Sequence, residues 1–297
     1  MTRTDPLETA LERGFAQIIG PRTPPRLVAA MHHALFPGGA RFRPRLLLAV
    51  AGAAGAPSAD AEAAAVAVEL VHCASLVHDD LPCFDNASIR RGRMSVHAKF
   101  GESLAVLVGD GLIVAAFDVL ARATVACPTL ASAIGLLAAA VGANGGLVAG
   151  QAWEDEPSAD VYRYHQAKTG ALFEAATSIG AVVAGAEVTE WRAVGTALGE
   201  AYQLADDLGD LVGTPTDLGK PVGQDLIHAR PNAAIELGLE RAFARLESAV
   251  TRAADLVPAC PGDEGFRDWL LSSCARVFPT RAQVRQDPLR DRAPLSA

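Results

Sequence analysis

The sequence predicts an all-α fold, and three observations carry that expectation. Half of its 297 residues are apolar, dominated by Ala, Leu and Val, and only 5% are aromatic; such a composition favours close-packed helices over a β-sandwich. The apolar residues recur at helical spacing through long segments, and no alternation of strands with helices appears. No linker, internal repeat or low-complexity tract divides the chain, so one domain over residues 1–297 is expected.

Taken in order, Pro6–Ile19 reads as an amphipathic helix with Leu7, Ala10, Leu11, Phe15 and Ile18 near one face. The run PRTPP breaks it, and a second helix continues to about Leu35. In FPGGARFRP the Gly38-Gly39 turn ends that helix and Pro44 suits the first turn of the next. Arg41, Arg43 and Arg45 are thereby crowded near a helix N-terminus, a place favourable to anions. Ser58–His78 is a long, largely apolar helix expected inside the protein, stopped by Pro82. Another long helix begins near Glu102.

From Ala123 to Trp153 there is no charged residue, a length that could cross a bilayer. Pro128, Asn144 and the many Gly and Ala residues favour instead a buried helix of a soluble protein, ending at Gly150-Gln151. Gly142, Gly146 and Gly150 form a stripe along which another helix can approach closely. Asp160–Gly180 is helical and encloses Lys168 and Thr169; a buried lysine demands an anionic partner. Thr189–Val212 is a further helix. Residues 213–231 form a polar loop with Lys220, Asp225 and Arg230, long enough for a functional flap. Asn232–Leu256 and Gly262–Arg276 are the last helices, and the tail from about 278 is expected to be poorly ordered.

The net charge of −8 argues against a nucleic-acid binder. Any anionic substrate must then be recruited by local Arg and Lys or by a metal. The five cysteines lack zinc spacing and suit free thiols in a reducing compartment. The charged N-terminal stretch has no secretory h-region, so a cytoplasmic location is expected.

Chemistry concentrates in HCASLVHDDLPCFDNASIRR, His72–Arg91. Asp79, Asp80 and Asp85 follow an apolar helix, where unpaired carboxylates are costly. Oxygen ligands suit a hard cation, and Mg²⁺ commonly uses one or two carboxylates plus substrate phosphates. Arg90 and Arg91 could hold the same phosphates. A second cluster, QLADDLGD, sets Gln203, Asp206 and Asp210 about one turn apart, with Asp207 beside them. Like charges so close destabilise a helix unless a cation or basic ligand sits over them. His72 lies two turns before Asp79, and Ala74 and Ser75 little more than one.

With these motifs in this order, the chain resembles the trans-isoprenyl diphosphate synthases, the farnesyl and geranylgeranyl diphosphate synthase family. The likeness runs through GGARFRP, DDLPCFD with RRG, GQ, KTG, QLADDLGD and GKPVGQD. It is nearest to bacterial geranylgeranyl diphosphate synthases of carotenoid and bacteriochlorophyll pathways. The resemblance implies an all-α fold around a deep cavity and a homodimer, with no transmembrane segment. It implies Mg²⁺, three ions with substrate bound, held by Asp79, Asp80 and Asp85 on one wall and by Asp206, Asp207 and Asp210 on the other. Arg90, Lys168, Thr169, Gln203 and Lys220 would contact an allylic diphosphate, and Arg43, His72 and Arg91 isopentenyl diphosphate. The catalytic set would comprise Asp79, Asp80, Asp85, Arg90, Lys168, Asp206 and Lys220. Ala40 departs from the family, standing where a lysine helps bind isopentenyl diphosphate; Met94-Ser95 stands for Pro-Thr, and Arg230 for a lysine.

In family members that stop at fifteen carbons the position of Ala74 is often aromatic. Small side chains at Ala74 and Ser75 leave a deeper pocket and imply a twenty-carbon product. A farnesyl diphosphate synthase is the alternative. A class I terpene cyclase would carry a different second metal motif, a regulatory subunit would not need both acidic motifs, and an HD-type phosphohydrolase would leave KTG and QLADDLGD unexplained.

Overall fold

A computed structural model describes residues 5–123, 127–157, 160–212 and 232–281. The chain is helical almost throughout, as expected. The N-terminal half comprises α1 (Pro6–Ile18), α2 (Pro25–Leu35), α3 (Phe42–Ala53), α4 (Ser58–Asp79), the short α5 (Val96–Phe100) and α6 (Glu102–Ala121). Then follow α7 (Cys127–Val141), α8 (Leu147–Ala152), α9 (Val161–His165), α10 (Ala171–Ala184) and α11 (Val188–Val212). After the undescribed 213–231 come α12 (Ala233–Leu237), α13 (Leu239–Asp255) and α14 (Asp263–Val277).

Local chemistry sets the boundaries. At α1, Asp5 accepts a hydrogen bond from Leu7 N at 3.0 Å and Pro6 opens the first turn, which satisfies one orphan donor and removes another. Pro82 blocks continuation of α4. Two helices expected as single pieces are broken at glycines. The uncharged segment splits into α7 and α8 around Gly142–Gly146, where Gly145 has φ +80°, and the Asn232–Leu256 segment splits at Gly238, φ +81°. That conformation costs glycine little and any other residue more. One element was not expected, a two-stranded hairpin of β1 (Ile89–Arg90) and β2 (Arg93–Met94).

The core is one continuous apolar cluster from Leu7 to Phe278. Helix α4 packs against α6, α3 and α10, and α10 packs in turn against α11 and α7. Two spans, Ala61–Asp79 and Glu102–Ala121, are long and apolar enough to cross a membrane by length and composition. The first is 67% buried within the protein and the second only 44%. The tail beyond α14 begins in order: Phe278 is buried, and its ring joins Phe42 and Tyr202 at 6.4 and 5.9 Å.

Close helix approach depends on missing side chains. A Cβ at Gly180 would lie 2.8 Å from the Leu47 carbonyl oxygen of α3. Gly150, in the stripe noted in the sequence, would place one 2.4 Å from Lys168 N. Backbone cannot yield as a flexible side chain can. Gly150→Ala should therefore cost about 1–3 kcal/mol of unfolding free energy, measured by urea titration, and should displace the segment that carries Lys168.

Candidate active site

A cavity of about 1150 Å³ opens between α4 and α11. From α4 it takes His72, Ser75 and Asp79; from α11, Tyr202, Asp206 and Gly209. Arg90 and Arg91 enter from the hairpin, Gly39–Arg43 from the turn before α3, and Lys168 and Thr169 from a single π-helical turn, Gln166–Gly170. Such a turn holds an extra residue in the helix and often marks a functional site. Asp79 and Asp206, 127 positions apart in sequence, thus face one hollow from opposite walls.

On the first wall the two adjacent aspartates have different tasks. Asp79 receives the Lys168 ammonium at 3.1 Å and lies 3.8 Å from Arg90. Asp80 turns away from the cavity and is buried, and Arg90 donates to its Oδ1 through Nε at 2.9 Å and a terminal nitrogen at 2.5 Å. Burial pushes the Asp80 carboxyl up to about 6, while Arg90 pulls it down. This departs from the expectation of a third metal ligand, because Asp80 instead fixes the guanidinium that faces the cavity. The loop then folds back, Asp85 N donating to Asp79 O at 3.0 Å and Ala87 N to Asp80 O at 3.1 Å. Asp85 is half-buried next to the backbone of Asp79.

Lys168 also pairs with Glu154. Tyr164 donates its hydroxyl to Glu154 at 2.8 Å, and Gln151 its amide at 2.9 Å. The anionic partner required by a buried lysine is therefore shared between two walls. Glu154 escaped the sequence reading; the signal was its place in Trp153-Glu-Asp, the first charges after thirty neutral positions or so.

The second acidic cluster is likewise divided. Asp206 is exposed to the cavity, whereas Asp207 and Asp210 are buried and outside its lining. Asp207 accepts from Gln203 Nε2 at 2.7 Å and from Ala233 N at 2.8 Å, and its carbonyl accepts from Asn232 at 3.1 Å. Gln203 in turn accepts from the Thr169 hydroxyl at 2.7 Å. The chain Thr169–Gln203–Asp207–Ala233 ties the π-helical turn to α11 and α12, a structural assignment for Asp207 where a metal ligand was expected. Lys220 lies outside the described residues. Among the described residues no three Asp, Glu, His or Cys side chains converge on one point. The lining carboxylates Asp79, Asp155 and Asp206 nevertheless fit Mg²⁺, which completes its shell with water and substrate phosphates.

The basic end is built on Glu69, buried in α4. Arg41, in a left-handed conformation (φ 51°), donates to Glu69 at 2.6 Å, to Glu8 at 2.9 Å and to the Leu35 carbonyl at 2.6 Å. Burial disfavours its charge, yet Glu69 and Glu8 hold its pKa above the usual value. Arg91, also left-handed (φ 53°), approaches Glu69 at 4.0 Å. Arg43 is buried with no bonded partner at Nε, its guanidinium lying 4.5 Å from the Phe173 ring and 4.9 Å from that of Tyr202. An orphaned donor of this kind is costly without a ligand. Burial, then Arg43, Arg91 and the other arginines, depress the His72 pKa far below its normal range. It is therefore a neutral donor at this end.

Below the acids the walls are apolar, with Ile113, Val141, Leu147 and Leu172. Ser75 lines this part, but Ala74 does not. Ala74 is fully buried, and one turn later His78 lies against Gly109 of α6. Ala74, expected in the cavity wall, is not among its lining residues.

Comparison with known proteins agrees with this architecture. A family model described as polyprenyl synthetase matches residues 24–256. The geranylgeranyl diphosphate synthase of Cereibacter sphaeroides is 47% identical over 281 residues, covering 94% of this chain and 98% of that protein. That of Rhodobacter capsulatus is 48% identical over 259 residues, covering 86% and 90%. Among solved structures, a Helicobacter pylori geranyltransferase complexed with magnesium and isoprenyl diphosphate has a TM-score of 0.78 at 28% identity, covering 93% of this chain and all of that one. An FPP/GFPP synthase from Zymomonas mobilis has a TM-score of 0.76 at 30% identity, covering 90% and 98%.

The neighbours Asp206 and Asp207 should part under mutation. Asp207→Ala should lower unfolding free energy by about 1–3 kcal/mol, since it strands buried donors. Asp206→Ala should instead abolish Mg²⁺-dependent binding of inorganic diphosphate, as read by calorimetry.

Proposed function

This chain belongs to the polyprenyl synthetase family and is a trans-prenyltransferase, and from that premise we propose that it condenses isopentenyl diphosphate with allylic diphosphates to give geranylgeranyl diphosphate. One observation supports this most directly: Asp79 and Asp206 face each other across a hollow with an arginine-rich end and a deep apolar floor. A metal site, two diphosphate sites and a hydrocarbon channel are what head-to-tail condensation requires.

In this reading Asp79, with Asp85 next to its backbone, and Asp206 would hold Mg²⁺. Mg²⁺ bound there would supply positive charge against the diphosphate that leaves. Arg90, Lys168 and Thr169 hold and orient that group, and Lys220, outside the described residues, is assigned to it by the resemblance alone. Asp80 and Glu154 fix the two cations, so little reorganisation is needed when charge develops. Arg43, Arg91 and neutral His72 hold isopentenyl diphosphate with its double bond toward the allylic carbon. Ionisation leaves an allylic cation, the double bond attacks it, and a proton passes to the departing diphosphate. The apolar walls keep water from the cation.

A twenty-carbon product is supported by two bacterial relatives that are geranylgeranyl diphosphate synthases and by Ser75, a small side chain on the cavity wall. In the same reading the location is cytoplasmic and the chain forms a single domain acting as a homodimer. The dimer is supported by α6, whose Val106, Leu107 and Val114 are 42%, 55% and 68% exposed; an apolar stripe of this sort commonly marks an interface.

Three measurements bear on these points. With Mg²⁺, isopentenyl diphosphate and an allylic starter, the purified protein should yield mainly a C20 diphosphate by product chromatography. Ser75→Phe should shorten that product by at least one five-carbon unit, and an unchanged product would remove Ser75 from length control. Paired Leu107→Glu and Val114→Glu substitutions should convert the dimer to a monomer by light scattering.

A further inference from the structure

Five arginines line the cavity: Arg41, Arg43, Arg90, Arg91 and Arg276. Their charges are not equally available. Arg41 is neutralised by Glu69 and Glu8, and Arg90 by Asp80. Arg91 approaches Glu69 only at 4.0 Å. Among the described residues, Arg43 and Arg276 have no carboxylate partner. Arg276, in the last turn of α14, donates among the described residues only to Ser273 Oγ at 3.1 Å, which leaves most of its five N–H groups available there.

The end of α14 is seated at one particular end of the hollow. Phe278, two residues on, stacks on Phe42 at 6.4 Å with 19° between the rings and meets Tyr202 at 5.9 Å. Tyr202 is also the ring beneath the Arg43 guanidinium. These contacts dock the C-terminal helix beside Arg43 and the Gly39–Arg43 turn. That turn supplies an uncharged side chain, Ala40, to the lining.

We propose that Arg276 binds the diphosphate of the isopentenyl substrate, supplying from the C-terminal helix a cation that the turn before α3 lacks. The charge balance favours it. A diphosphate monoester carries about three negative charges near neutral pH. His72 is neutral and Arg41 and Arg90 are already compensated, so Arg43 and Arg91 leave the third charge unmatched. Arg276 matches it, and its planar fork suits two phosphate oxygens at once.

This rests on the function proposed above, and the test separates the two. Calorimetry of isopentenyl diphosphate with the full chain in chelator reads the arginine end without metal. Arg276→Gln should weaken that binding roughly tenfold, as expected for loss of one charge-assisted contact, and Arg276→Lys should weaken it less. In initial-rate assays Arg276→Gln should raise KM for isopentenyl diphosphate alone, with kcat and the allylic KM unchanged. Adding Ala40→Lys to Arg276→Gln should restore most of the affinity. Wild-type affinity in Arg276→Gln overturns the proposal. So does a loss shared in full by Arg276→Lys and not relieved by Ala40→Lys, because the side chain would then serve folding. If the wild type binds isopentenyl diphosphate but extends no allylic diphosphate, the condensation reading fails, while the calorimetric contrast still decides the role of Arg276.

Discussion

The ion pair between Lys168 and its two carboxylates, Asp79 and Glu154, is the contact on which the site depends. A lone ammonium in a half-buried cleft would lose its charge or pull the walls apart, and two aspartates facing a low-dielectric hollow would repel. Lys168 meets both needs, because its backbone belongs to the π-helical turn and its ammonium reaches α4. Gly150 allows that turn to lie against α8 with no Cβ between them. The pair thus couples helix packing to the electrostatics of the acidic end.

The same economy appears among the arginines. Asp80 and Glu69 lie behind the cavity wall, and each directs a guanidinium: Arg90 in one case, Arg41 and more loosely Arg91 in the other. Buried ion pairs add little net stability, because desolvation offsets most of the Coulomb gain. What they contribute here is direction. The carboxylates that touch no substrate decide which cations remain available to the substrates.

Much of this was legible in the residues. Proline and glycine punctuation placed α1, α2, α4, α6 and α11 closely, since each boundary rests on a local rule about caps or blocked hydrogen bonds. The two acidic clusters, each unfavourable alone, called for a cation, and the resemblance implied that Asp79 and Asp206 face each other across one hollow. The rest was hidden for physical reasons. Helical spacing says which residues share a stripe but not what that stripe meets, so Asp207 and Asp210 could not be told from Asp206, nor Ala74 from Ser75. The hairpin strands are two residues each, too short for any periodicity. Gly145 and Gly238 break helices through positive φ, which neither residue's identity nor its spacing announces.

Arg91 holds its place in the left-handed region, a conformation that costs a side chain with a Cβ roughly 1–2 kcal/mol. Glycine or asparagine would sit there with less strain, so the guanidinium is retained against a standing thermodynamic pull. In a lineage released from the need to grip phosphate, drift at this position would run downhill toward those smaller residues. A duplicated copy that had lost its trade would then betray it first at the tip of the hairpin, while its aspartates still looked intact.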